Sequence, residues 1–166
     1  MRLLVFNILL LFTGHFLFAQ HSIDELLKSH NEEGIPYVSV TEARMFQVNN
    51  EAILLDAREI EEFKVSKIPS ASYIGYSKFS SEEATKTIKN KEQLIIVYCS
   101  IGIRSSTIAK KLKDLGFTNV KNLYGGIFEW KNKGFPILDE DGEETEKVHV
   151  VSKMWGKYLE SGVKVM

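Results

Sequence analysis

The sequence predicts an α/β fold, a parallel sheet with helices on its faces, and three observations carry that expectation. Short β-type runs at Tyr37–Val40, Ala52–Leu55, Leu94–Tyr98 and Val120–Leu123 alternate with stretches of helical pattern. Alternation of this kind gives parallel strands joined by crossover helices. The run Leu94-Ile95-Ile96-Val97-Tyr98 is apolar, rich in β-branched residues and too short for a helix. After the loop that follows it, Ile108, Leu112 and Leu115 fall at i, i+4 and i+7, and Gly116 supplies a helix stop. Cys99 therefore stands at the carboxyl end of a central strand, in a loop that feeds a helix. In open α/β sheets that edge is where ligands bind.

With 166 residues, 44% hydrophobic and 26% charged, the chain has the size and balance of one globular domain. A formal net charge of -1 gives no broad basic surface for nucleic acid or an anionic membrane, and neither is expected as a partner. Residues 1–19 read as a secretory signal peptide: Arg2 precedes a mainly apolar run from Leu3 to Phe12, and Ala19 offers a cleavage point. Thr13, Gly14 and His15 interrupt that run, which is shorter than the ~20 residues of a membrane span. The expectation is export to the periplasm or medium as Gln20–Met166, with no stable membrane insertion after cleavage. Residues 20–36 form an N-terminal extension, in which Ser22-Ile23-Asp24-Glu25 has the form of a capping box for a helix ending near Gly34 and Pro36.

The main domain is expected over 37–138. The acidic run Asp139–Glu144, interrupted by Gly142, reads as a solvated linker or loop closing it. Beyond lies a tail to residue 166, where Met154, Trp155, Tyr158 and Leu159 stand at near-helical spacing and predict a short helix packed against the body.

Cys99 is the one cysteine, so no intramolecular disulfide can form. A thiolate is the reactive form of cysteine and needs positive potential around it. Gly102 lets the loop curl so that successive N–H groups turn inward, the next helix adds the positive end of its dipole, and Arg104 adds a full charge at the mouth. No histidine lies in the loop. His30 and His149 have no partner pattern for a metal, and no cofactor is expected.

Cys99-Ser100-Ile101-Gly102-Ile103-Arg104-Ser105 resembles the active-site loop of rhodanese-homology domains, C-x-x-G-x-R-S. Asp56-Ala57-Arg58 with Glu61, Glu62 and Phe63, then Ile68-Pro69, Ala71 and Ile74, is similar to a second block of that family. Asn122-Leu123-Tyr124-Gly125-Gly126-Ile127 with Trp130, Gly134 and Pro136 is similar to a third. The resemblance covers roughly Val38 to Ile137. It departs at Ser66-Lys67-Ile68-Pro69-Ser70-Ala71, where the family has G-H-I-P-G-A, and at Ser100 and Ile101, where thiosulfate-using members carry basic residues.

The resemblance implies a mainly parallel five-stranded sheet flanked by helices and a sulfurtransferase. Cys99 would take a sulfane sulfur from thiosulfate, polysulfide or a persulfide and pass it from a Cys99 persulfide to cyanide or a thiol, a thioredoxin-like protein among the acceptors. Ser100, Ile101, Gly102, Ile103 and Arg104 would surround the substrate, with Ser105, Asp56 and Arg58 in support. Glu61 and Glu62 read as a solvated helix face, and Tyr124, Phe128 and Trp130 as core. Two alternatives stand beside this. Cysteine phosphatases need a wider loop than the four residues, Ser100 to Ile103, between Cys99 and Arg104. A binding module that senses redox state or sulfur would keep the thiol without turning over.

Overall fold

The computed structural model describes residues 23–166; the predicted signal peptide and the Ser22 cap lie outside them. Along the chain come α1 (residues 23–30), β1 (Tyr37–Val38), α2 (Val40–Val48), β2 (Ala52–Asp56), α3 (Ile60–Val65), β3 (Ser72–Tyr73), α4 (Ser81–Thr87) and β4 (Leu94–Tyr98). There follow α5 (Ile103–Asp114), β5 (Val120–Leu123), α6 (Gly126–Asn132), β6 (Ile137–Leu138), β7 (Glu144–Thr145), β8 (Lys147–His149), α7 (Lys153–Gly156) and β9 (Val163–Val165). Strands β1 to β5 form one five-stranded parallel sheet in the order β1-β5-β4-β2-β3.

Because successive side chains of a strand point to opposite faces, the apolar run of β4 serves two cores at once. Ile96 and Tyr98 enter one cluster with Leu54, Leu123, Ile127 and Trp130. Ile95 and Val97 enter the other with Leu55, Val120, Ile108 and Leu112. Helices α2 and α6 cover the first face, α4 and α5 the second. Trp130 and Phe128 are fully buried core, and Tyr124 is half-buried.

Two predicted boundaries shift. The run Tyr37–Val40 stops as a strand at Val38, because Ser39 caps α2: its hydroxyl accepts the Glu42 N–H while the Glu42 carboxylate accepts the Ser39 N–H. Helix α1 ends at residue 30, four positions before the Gly34 turn.

Of the two readings of the acidic run, linker or loop, it is the solvated loop that is found, and the helical tail needs correcting. Asp139–Gly142 is the tip of the antiparallel β6–β7 hairpin, with Asp139 Oδ1 accepting the N–H groups of Asp141 and Glu143. The tail is mostly extended: β8 and β9 pair in parallel around the single turn of α7. Val148, Val150 and Leu159 from it are buried in the α2/α6 core, while Met154 is exposed. Asn132, at the end of α6, fastens the tail by accepting N–H groups from Glu160 and Ser161 and donating to the Tyr158 carbonyl.

Candidate active site

Cys99 follows the last residue of β4, and the Ala57 N–H donates to the Tyr98 carbonyl at 2.8 Å, pairing β4 with the end of β2 up to the residue before the thiol. The chain then turns at Gly102, whose φ of +109° is disfavoured for any residue with a Cβ. That turn aims the Gly102 N–H at Cys99 Sγ, 3.2 Å away, just where α5 begins. Ser105, in the first turn of α5, places its hydroxyl 3.4 Å from Sγ and 2.7 Å from Asn122 Oδ1. One hydroxyl proton thus has two acceptors: directed at Asn122 it leaves an oxygen lone pair for a thiol S–H, and directed at Sγ it supports a thiolate or persulfide anion. Asn122 also donates to the Gly102 carbonyl at 2.8 Å, fixing the loop from β5.

The outer face of the loop is held by α6. Ile127 and Phe128 donate their N–H groups to the carbonyls of Cys99 and Ser100 at 2.9 and 3.1 Å. These two bonds fix the Cys99 and Ser100 carbonyls toward α6, away from the side where the Gly102 N–H meets Sγ. The approach is close enough that a Cβ on Gly126 would lie 2.3 Å from the Cys99 carbonyl oxygen. Only glycine fits there.

Arg104 stands at the mouth with its guanidinium fork occupied. Nη1 and Nη2 donate to the two carboxylate oxygens of Glu62 at 2.7 and 2.8 Å, and Nη2 also donates to Ser100 Oγ at 3.0 Å. Ser100 donates in turn to Glu62 at 2.9 Å. Glu62 is therefore not on the solvated face predicted for α3; it is buried, and only Glu61 is exposed. Burial alone would raise the Glu62 carboxyl, but the hydrogen bonds and charge of Arg104, helped by the Glu59 N–H and by Arg58, hold it below the ordinary carboxylate range. The full charge expected from Arg104 is matched by a carboxylate.

Asp56 and Arg58 lie behind the loop as a fully buried pair, Arg58 Nε and Nη2 donating to Asp56 at 2.9 and 2.6 Å. Arg58 Nη2 also donates to the Ser66 carbonyl, and Tyr98 Oη accepts the Ile68 N–H. Burial opposes the Arg58 charge, and Asp56 more than restores it. The pair ties β2 and β4 to the turn after α3, and neither residue lines the cleft.

That cleft, about 200 Å³, opens onto Cys99, and Ser100, Ile101, Ile103 and Arg104 line it as the loop pattern anticipates. Two further lining residues, Val151 and Trp155, come from the tail; the sequence reading gives Trp155 only a packing role and does not single out Val151. It takes Glu62 as solvated, and Asn122 enters only as part of the third family block, with no role assigned.

The site is thus a buried thiol at a strand end, met by the Gly102 N–H where α5 begins and by the Ser105 hydroxyl. The model of the Rhodanese-like domain family matches residues 39–133, and the chain belongs to that family. Among curated relatives it is 32% identical over 93 residues to the thiosulfate sulfurtransferase GlpE of Actinobacillus succinogenes, covering 56% of this chain and 80% of that one. It is 27% identical over 132 residues to a putative sulfur carrier protein of Bacillus subtilis, covering 73% of this chain and 70% of that one. A fungal adenylyltransferase and sulfurtransferase, from Meyerozyma guilliermondii, is 37% identical over 89 residues, 49% of this chain; the match spans 20% of that much longer relative. A solved structure from Bacillus halodurans superposes with a TM-score of 0.57 at 28% identity, covering 74% of this chain and 85% of that one. A human single-domain sulfurtransferase superposes with a TM-score of 0.52 at 26% identity, covering 60% and 98%.

Proposed function

We propose that the protein is a sulfurtransferase that carries sulfur as a persulfide on Cys99. The observation that carries this reading is the Gly102 N–H aimed at Sγ from 3.2 Å at the start of α5. Such donors stabilise negative charge on the thiolate and equally on the persulfide, so one electrostatic site serves both resting forms. In the first half-reaction the Cys99 thiolate attacks the outer sulfur of a sulfane donor. The donor's S–S bond breaks, its leaving group departs with the electron pair, and a new S–S bond forms at Sγ. In the second, cyanide or a thiolate attacks that outer sulfur and Cys99 leaves as the thiolate. Relatives named as thiosulfate sulfurtransferases support the chemistry at the level of sulfur transfer. With a single cysteine in the chain, an external thiol, of low molecular weight or on a thioredoxin-like protein, resolves the persulfide. The proposal includes export, on the strength of residues 1–19; fractionation of the native host checks it, and a purely cytosolic pool of full-length chain overturns it.

The deciding experiment is intact mass after polysulfide and then cyanide, beside Cys99→Ser. Wild type is expected to gain one sulfur and lose it to cyanide with thiocyanate formed, and the variant to do neither. A wild type that gains no sulfur makes this domain a non-turnover binding or sensing module.

A further inference from the structure

Val151 and Trp155 lie beyond the family's matched span, yet both line the cleft over Cys99. Their placement is built into the tail. Val151 sits at φ +63°, a conformation a β-branched residue resists. It is the centre of a tight turn in which the Ser152 N–H donates to the Val150 carbonyl at 2.6 Å and the Val151 N–H donates to His149 Nδ1 at 3.2 Å. Ser152 then caps α7 by accepting the Trp155 N–H. Beneath the turn, Val148, Val150 and Leu159 are anchored in the core. Backbone strain persists where the surroundings over-determine it, and it gathers at binding sites.

The chemistry of the cleft points to an occupant. Ile101, Ile103, Val151 and Trp155 give it apolar walls around the sulfur. Among the described residues the one charged side chain lining it, Arg104, is already paired with Glu62. A sulfonate entering this space would shed water and find no uncompensated cation. A small apolar group entering the cleft would gain contact with these walls.

We propose that Val151 and Trp155 are specificity-determining residues, forming a wall that receives the carbon portion of an apolar organic thiol or its persulfide. This rests on the Cys99 persulfide reading. The thiolate R–S⁻ attacks the outer sulfur of Cys99–S–SH; the S–S bond breaks, Cys99 leaves as the thiolate with the electron pair, and R–S–SH departs. No oxidant or reductant is consumed.

The test loads wild type, Trp155→Ala and Val151→Gly with polysulfide, confirms the added sulfur by intact mass, and times its discharge to benzyl thiol and to 2-mercaptoethanesulfonate. The readout is the ratio of the two rates, in which each thiol's own nucleophilicity cancels between variants. Trp155→Ala and Val151→Gly are each expected to lower the benzyl-to-sulfonate ratio by about tenfold, the lower end of what a lost apolar contact gives in a pocket. Glycine suits the backbone at 151, so this variant keeps the test decisive should Trp155→Ala fail to fold. Loaded variants that keep the wild-type ratio refute the wall and leave the persulfide reading standing. A wild type that takes up no sulfur refutes the persulfide reading and this inference with it.

Discussion

Glu62 holds a negative charge where burial opposes it, and Arg104 is the reason it can. Replacing it by glutamine leaves Arg104 at the cleft mouth without a counter-charge, and Glu62→Gln is expected to cost about 2 kcal/mol at neutral pH, below the full value of a buried pair because Arg104 keeps some solvent. The sign with pH follows from the depressed carboxyl. Its contribution is complete above the ordinary glutamate range, near 4.5, and is lost as pH falls through the lower folded-state value. Urea midpoints of wild type and variant should therefore converge as pH drops below about 4.5; a gap that stays constant in acid would refute an ionised Glu62. This residue was hidden in the sequence because its partner lies 42 positions away and its neighbour Glu61 is a solvated residue of the same type. Cys99, Gly102 and Arg104 were legible because the loop, its strand and its helix are contiguous.

At the scale of elements, the turn Ile68-Pro69-Ser70-Ala71 shows what a departure from a family pattern means physically. The Ala71 N–H donates to the Ile68 carbonyl at 3.1 Å, closing a turn with Pro69 and Ser70 at its centre, and Ser70 takes φ +65°. This is the position where the family pattern has glycine, and a type II turn asks for it. Ser70→Gly is expected to raise stability by roughly 0.5–1 kcal/mol, relief of the left-handed backbone outweighing the added freedom of the unfolded chain. Thermal unfolding that shifts downward would refute the strain. Strands long enough to show a pattern, β2, β4 and β5, were readable from the sequence. The two-residue strand β3 was not, and β1 was read too long because the capping role of Ser39, with Glu42 three residues on, outcompetes the β-propensity of Val40.

For the whole molecule, α6 is the joint between the Cys99 loop and the tail. Its first N–H groups hold the carbonyls of Cys99 and Ser100, and its last residue, Asn132, holds residues 158 to 161. Asn132→Ala is expected to cost about 1–2 kcal/mol and to speed hydrogen exchange at the amides of Glu160 and Ser161. Unchanged exchange there would show that the buried Val148, Val150 and Leu159 secure the tail without Asn132. Local pattern could not announce this arrangement: β8 and β9 are three residues each and pair across the segment that holds α7, too short for a strand periodicity to show.

The depth of Cys99 has a consequence for two copies meeting in solution. The residue is 1% exposed, at the floor of a cleft walled by Ile101, Ile103 and Trp155. A disulfide needs its sulfurs ~2 Å apart and its Cα atoms within about 7 Å. Two such floors cannot meet while both walls stand, so the shape of the cleft alone keeps the Cys99 sulfurs of two copies beyond bonding distance.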